Sequence, residues 1–307
     1  MGCGASKSQA QIVEVASPVS PATEKAAAAA TQNNADKATH EAQIRCVQEP
    51  EILPNPAKPR YEHEHATTTA ALAYMEARPT SENEGGSEDA PAETPVKKMC
   101  ILGGGAFGTA LSLVMAKKVS EVAVFDKPPA GAEAQAKACN EDSENKAFLP
   151  GCRFPEPAPE SGATRSPVWW HHDPAAAMEG AEVVLFAIPA PFLRGFCEKN
   201  KASIPKGVPL VVCTRGLEAA TMKMPSEVMA EVLGAEYMKE VVVMSGPTAS
   251  RELAEGQGTS VVVAGHDSGL VQRVQGQLSC RAANFRTHAS DDPVGCEVAG
   301  AVKHVLA

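Results

Sequence analysis

Four apolar residues, Met99, Cys100, Ile101 and Leu102, run directly into a turn with glycines at 103, 105 and 108, and a helical pattern follows over 106–118. A buried strand, a glycine turn and a helix in that order form the G-x-G-x-x-G context of a βαβ unit. Each glycine has its own task there. Gly103 lets the strand end turn, Gly105 lets a pyrophosphate approach the backbone, and Gly108 lets helix and strand pack closely. Free N–H groups and the positive end of the helix dipole then favour phosphate. The segment EVAVFD reads as the second strand, and its Asp126 lies 18 residues beyond Gly108, near where an acid takes the adenosine ribose hydroxyl. That carboxylate favours NAD over NADP, because it repels a 2′-phosphate, although Lys127 beside it weakens the preference.

The alternation continues. AEAQAKACN reads as a helix, 149–167 as a Pro-rich loop and 168–170 as a short strand. DPAAAMEG reads as a short helix with Pro174 at its first position and Gly180 just past its end. AEVVLFAIP is a nearly continuous apolar strand, the mark of a sheet covered on both faces. A helix from Pro191, the strand VPLVVCT, a helix from about Pro225 to Gly234, the strand VVVMSG and a helix through ASRELAEG follow. TSVVVAG, a helix with Leu270, Val271, Val274 and Leu278 on one face, and NFRTH complete the pattern. The fold class is α/β with a doubly wound sheet, whose ligands belong at the carboxyl ends of the strands.

Those ends carry GGGAFG, Phe125 with Asp126, PAPFLR, RGLE and SGPTAS. Phe192 is placed to stack on a nicotinamide or adenine ring, or equally to pack its helix on the sheet. Arg215 offers a planar fork for a phosphate, with an ion pair to Glu218 as the alternative. SGPTAS offers orphan N–H groups in the first turn of its helix, where Pro247 costs no donor. The last segment, DDPVGCEVAGAVKHVLA, reads as a helix capped by Asp292. Val294, Val298, Val302 and Val305 form an apolar stripe, and small residues (Cys296, Ala299, Gly300, Ala307) surround Lys303. On pattern alone, Lys303 is better explained by a stem lying along the surface.

The first third of the chain is different. Residues 1–96 hold 14 acids and 7 bases, with long Ala, Pro, Ser and Thr tracts, against 23 acids and 21 bases in the remainder. Such a segment buries too little apolar surface to offset its ordering entropy and is expected to be disordered, with EKAAAAAT and ATTTAALAYMEA as transient helices. The acidic balance argues against nucleic acid as a partner. Nine scattered cysteines without a CxxC pair fit a reducing compartment and small buried hydrophobes. No run approaches ~20 apolar residues, so no membrane span is expected. His63 and His65 in HEH lack metal-site spacing, so no metal is expected. The start MGCGASK fits N-myristoylation at Gly2, with Cys3 as the natural second acylation site. One acyl chain holds only reversibly, and Lys7 is the one nearby base, so stable anchoring needs palmitate on Cys3.

Taken together, GGGAFGTALS, N-x₄-AFLPG from Asn140 and Asn145 to Gly151, AIPAPFLRGF, CTRGLE, SGPTASRELAEGQGTSVVVA and VGCEVAGAVKHVLA resemble NAD-dependent glycerol-3-phosphate dehydrogenase in order and approximate spacing. The resemblance covers residues 97–307. It implies a Rossmann domain over 97–290, with 291–307 as the first helix of an all-helical substrate domain that the chain does not complete. It implies a cytoplasmic enzyme, on a membrane's cytoplasmic face if acylated, with NAD as cofactor. Its substrates would be glycerol 3-phosphate and dihydroxyacetone phosphate, which link glycolysis to glycerolipid synthesis, and the full-length chain would be a homodimer. By position, Gly103, Gly104, Gly105, Ala106, Phe107 and Gly108 match the phosphate loop, and Phe125, Phe192 and Ala249 match other dinucleotide contacts. Lys303 matches the catalytic lysine that handles the hydroxyl proton; a lysine serves as a base only where burial or a neighbouring cation lowers its pKa. Arg215 stands where the family usually has a substrate-contacting lysine, and His304 where asparagine is common. The alternatives are a lipid-anchored nucleotide-binding module without turnover, and another two-domain reductase acting on a hydroxy acid.

Overall fold

The computed structural model describes residues 94–306, apart from 129–130, 158 and 160–162. The expected disordered tail up to 93, its two transient helices, the HEH cluster, and Gly2 and Cys3 lie outside the described residues. The tail boundary itself shifts. Thr94 donates its N–H to the Gly276 carbonyl at 2.9 Å, and Val96 is buried, so these two residues assigned to the tail join the folded part.

The run before the glycines forms β1 (Lys98–Leu102), followed by α1 (Ala106–Met115), β2 (Glu121–Phe125), α2 (Ala132–Asp142) and β3 (Val168–His171). Helix α1 stops three residues short of the periodic pattern, which continues as turn over 116–118. Next come α3 (Pro174–Met178), capped by Asp173, whose carboxylate accepts from the Ala175 N–H at 3.2 Å, and β4 (Val183–Phe186). Then follow α4 (Ala190–Asn200), β5 (Leu210–Val212), α5 (Pro225–Leu233), α6 (Ala235–Met238) and β6 (Val241–Ser245). The chain continues through α7 (Ser250–Ala254), β7 (Thr259–Ala264), α8 (Ser268–Leu278), β8 (Phe285–Ser290) and α9 (Pro293–Leu306).

All eight strands lie in one sheet in the order β3-β2-β1-β4-β5-β6-β7-β8. The first six are parallel, with β1 central between β2 and β4. The reason is visible in β4, where all four side chains are fully buried. Val183 and Leu185 enter the core under α1 and α8, while Val184 and Phe186 enter the core under α4 and α5. Each such residue stabilises the fold by roughly 1.5–3 kcal/mol, so a run without polar alternation fits a strand covered on both faces.

The doubly wound α/β expectation is met, with one departure from parallel pairing after β6: β7 pairs antiparallel to β6, and β8 follows β7 in parallel. A helix rises about 1.5 Å per residue and a strand about 3.3 Å. The five residues of α7 therefore cannot carry the chain back down the height of β6, and β7 makes the descent itself. The carboxyl ends of β7 and β8 thus face away from the edge where the first six strands end.

Candidate functional site

The glycine loop is shaped before any ligand arrives. Gly103 has φ +104°, a Cβ there would stand 2.5 Å from the Ala187 carbonyl oxygen, and its N–H donates to the Phe125 carbonyl at 2.8 Å. A Cβ on Gly108 would collide with the Gly103 carbonyl, so only glycine lets α1 lie this close to β1. Gly105 differs, because no atom of the described residues lies within 4 Å of where its Cβ would be. It opens α1 without a side-chain cap, and the first helical bond runs from the Thr109 N–H to the Gly105 carbonyl at 2.9 Å. The preceding N–H groups have no partner within the helix and are available to an anion. Open space at Gly105 beside free donors fits a dinucleotide pyrophosphate.

The other expected contacts spread along the same strand ends. The Asp126 carboxylate is half-buried and accepts from the backbone N–H groups of Lys127 and Gly104, while burial raises its pKa above the usual carboxylate range. Phe125 turns inward: the residue is only 6% exposed and its ring centre lies 6.0 Å from that of Phe196, so what it offers the loop is its carbonyl. Phe192, in the first turn of α4, is 67% exposed. Ala249, just before α7, is also exposed.

Arg215 joins three parts of this edge. Its guanidinium donates to the Gly246 carbonyl and to Thr248 Oγ1, both at 2.7 Å, and lies 5.7 Å from the centre of the Phe107 ring in the glycine loop. Burial lowers its pKa, yet a guanidinium remains charged. The ion pair with Glu218, the alternative partner expected from sequence, does not form. Glu218 is taken by Arg194, in two hydrogen bonds of 2.8 and 2.9 Å. Helix α9 meets Arg215 from the other side. A Cβ on Gly300 would stand 2.7 Å from Ser245 Oγ and 3.9 Å from Arg215 Cγ, so the absence of a side chain lets α9 pass the ends of β5 and β6. Lys303, one turn on, is half-buried. The apolar stripe of α9 is not its buried face: Val294, Val298 and Val302 are 42%, 45% and 38% exposed, while Pro293, Glu297 and Gly300 are buried.

Residues 98–271 match the family described as the NAD-dependent glycerol-3-phosphate dehydrogenase N-terminus. The chain belongs to this family. The glycosomal NAD(+) glycerol-3-phosphate dehydrogenase of Leishmania mexicana is 38% identical over 217 residues, which are 69% of this chain and 55% of that protein. The NAD(P)+ glycerol-3-phosphate dehydrogenase of Mesorhizobium japonicum is 36% identical over 210 residues, 68% of this chain and 55% of that protein. Among solved structures, the glycerol-3-phosphate dehydrogenase of Coxiella burnetii superposes with a TM-score of 0.56 at 26% identity, covering 69% of this chain and 59% of that one. The chain thus spans little more than half the length of the curated relatives it matches.

Within this glycerol-3-phosphate dehydrogenase fold, sequence reading missed the residues behind the loop. Trp170 packs its ring against Gly104, and Asn145 and Thr109 bond the Gly104 carbonyl. The signal was present in N-x₄-AFLPG, but spacing alone gave those asparagines no role. Glu297 was likewise passed over. Its carboxylate is buried against the start of α5, accepting from the Ser226 N–H at 2.9 Å and from Ser226 Oγ at 2.5 Å.

Proposed function

We propose that this chain supplies the dinucleotide-binding half, together with the lysine-bearing helix, of an enzyme that interconverts glycerol 3-phosphate and dihydroxyacetone phosphate. The observation that carries the reading is Arg215, which touches Phe107 of the glycine loop and borders Gly300 on the helix of Lys303. Cofactor loop, cation and lysine helix therefore meet at one edge of the sheet.

NAD, when bound, supplies the hydride acceptor. The open backbone at Gly105 and the start of α1 would hold its pyrophosphate, Asp126 would take the adenosine ribose, and exposed Phe192 would offer a flat face for a ring. Arg215 contributes a fixed cation beside the substrate. The Lys303 amine would take the proton of the C2 hydroxyl, and the bound dinucleotide would supply the acceptor for the C2 hydride. In the reductive direction the ammonium stabilises the developing alkoxide and then returns the proton.

The test is NADH oxidation with dihydroxyacetone phosphate, on this chain and on one extended to the length of its relatives, each with and without Lys303→Ala. Lysine-dependent turnover in either form supports the reading. NADH binding with no turnover in both forms would replace it with a non-catalytic nucleotide-binding module. The proposal includes a homodimer of the extended protein, read by light scattering. It also includes cytoplasmic attachment to membranes through myristate on Gly2 and palmitate on Cys3. Gly2→Ala should move a membrane-bound fraction into the soluble one, and unchanged partitioning would remove the acylation.

A further inference from the structure

Behind the glycine loop, in the closed interior, one side chain has its whole hydrogen-bonding capacity used, half of it on the loop and the start of α1. Asn145 is completely buried, and its amide nitrogen donates to the Gly104 carbonyl and to Thr109 Oγ1, both at 2.8 Å. Its own carbonyl accepts from Gln135 Nε2 at 3.1 Å and from the Phe148 N–H at 3.3 Å. Two donors and two acceptors are all that an asparagine side chain has. Thr109, also fully buried, turns its hydroxyl to the same Gly104 carbonyl at 3.0 Å. Gly104 is further held through its N–H, bonded to the Asp126 carboxylate, and at its Cα, where the Trp170 ring leaves no room for a Cβ.

One glycine is thus fixed at all three of its backbone positions, and the next residue, Gly105, is the one that opens onto empty space. A loop with one end pinned in this way has less entropy to lose when a pyrophosphate settles on it, and affinity gained by prior ordering needs no contact with the ligand. We propose that Asn145, acting with Thr109, is the positioning device that pre-forms the phosphate loop, and that dinucleotide affinity depends on it although neither side chain lies on the ligand side. The Asn145 and Thr109 part of the clamp is neutral, and Asn145 is fully satisfied, so that part rigidifies the loop without the cost of a buried charge. Gln135 and Phe148 extend it to α2 and the FLPG turn, which accounts for a loop asparagine 41 positions downstream of Gly104.

The affinity part of this inference rests on the dinucleotide reading above, and the test separates the two. Three variants of the full chain are compared with the parent. Thr109→Val keeps the shape and removes the hydroxyl, Thr109→Ser keeps the hydroxyl, and Asn145→Asp keeps the shape and removes the donors. NADH binding is read by nicotinamide fluorescence, and amide hydrogen exchange is read without nucleotide. Thr109→Val and Asn145→Asp should weaken NADH binding about tenfold, in line with a lost hydrogen bond to a buried carbonyl, and should speed exchange at the Gly105, Ala106 and Phe107 amides while leaving β4 amides protected. Thr109→Ser should stay within about twofold of the parent. If Asn145→Asp does not fold, the threonine pair decides. Parent-like exchange of the loop in folded Thr109→Val overturns the proposal, whatever nucleotide does. Faster loop exchange in a chain whose parent does not bind NADH would leave the clamp standing and overturn the cofactor reading instead.

Discussion

Asn145 and Glu297 each secure part of the site from a closed interior, but by different chemistry. Asn145 is neutral and its four hydrogen bonds leave nothing unsatisfied. Glu297 brings a carboxylate to the first turn of α5, where two bonds from Ser226 are its visible compensation, and burial raises its pKa to about 7 against those bonds, with Glu227 adding repulsion. The neutral clamp is indifferent to pH across the ordinary range. The acidic clasp is not, because the free energy of burying it depends on whether it carries charge. The Gly104 carbonyl is therefore held by the inert kind of contact, while its N–H, through Asp126, and the helix of Lys303, through Glu297, are held by the titratable kind.

The strongest way to break the neutral side is Gly104→Ala. Its Cβ would enter the Trp170 ring, so either the ring or the loop must move. The expected loss is about 3 kcal/mol, the upper end for overpacking, or a fall in Tm of about 6–12 °C. Trp170→Phe removes the part of the ring that is struck, and the indole N–H it deletes has no hydrogen-bond partner among the described residues. In a double-mutant cycle, Trp170→Phe should therefore cost less in the Gly104→Ala background than alone. Additive losses would show that ring and glycine do not press on each other.

The acidic side breaks differently. Glu297→Ala leaves the Ser226 N–H and hydroxyl buried without their acceptor, at about 2 kcal/mol. Glu297→Gln keeps an acceptor for the N–H and removes the charge. The sign follows from the raised pKa. Between the ordinary carboxylate value of 4.5 and about 7, the folded protein holds a proton that the unfolded chain releases. Stability contributed by protonated Glu297 is complete below that window and is lost as pH rises through it. The Tm of Glu297→Gln relative to the parent should accordingly climb from about pH 5 to about pH 8. A difference that is flat across that range would mean the carboxylate stays ionised in the folded protein throughout.

The two sides also differed in how far sequence could reach them. The glycine loop was legible because each glycine answers a separate backbone demand, and φ at Gly103, the crowding at Gly108 and the opening at Gly105 match those demands one by one. The clamp behind it was not, because Asn145 meets Gly104 only after the chain has passed through α1, β2 and α2. Strand reversal was hidden for a different reason. Apolar patterning in TSVVVAG is the same read in either direction, and only the brevity of α7 betrayed the turn. On α9 the periodicity located the valines but could not say that a glycine and a glutamate form the face against the sheet. With Phe125 the position at a strand end was readable and the direction of its ring was not.

The smallest effect tests whether partial exposure removes what distinguishes the charged contact. Arg194 spans Glu218 and Glu231, and Lys223 reaches Glu231 at 2.6 Å, so this network ties α4 to the loop after Arg215 and to α5. Hydrogen bonds from Arg194 and then Lys223 hold the Glu231 pKa below its usual value, the opposite direction from Glu297. Its side chain is 38% exposed, so water and salt screen most of the attraction. Glu231→Gln should cost less than about 1 kcal/mol at neutral pH, and the difference from the parent should shrink in high salt. It should also shrink as pH falls below the ordinary carboxylate range, because a depressed pKa contributes stability only above that range. Thermal unfolding in low and high salt measures both. A loss as large as that of Glu297→Ala, unchanged by salt, would mean that the network behaves as a buried one and that exposure is not what separates the two carboxylates.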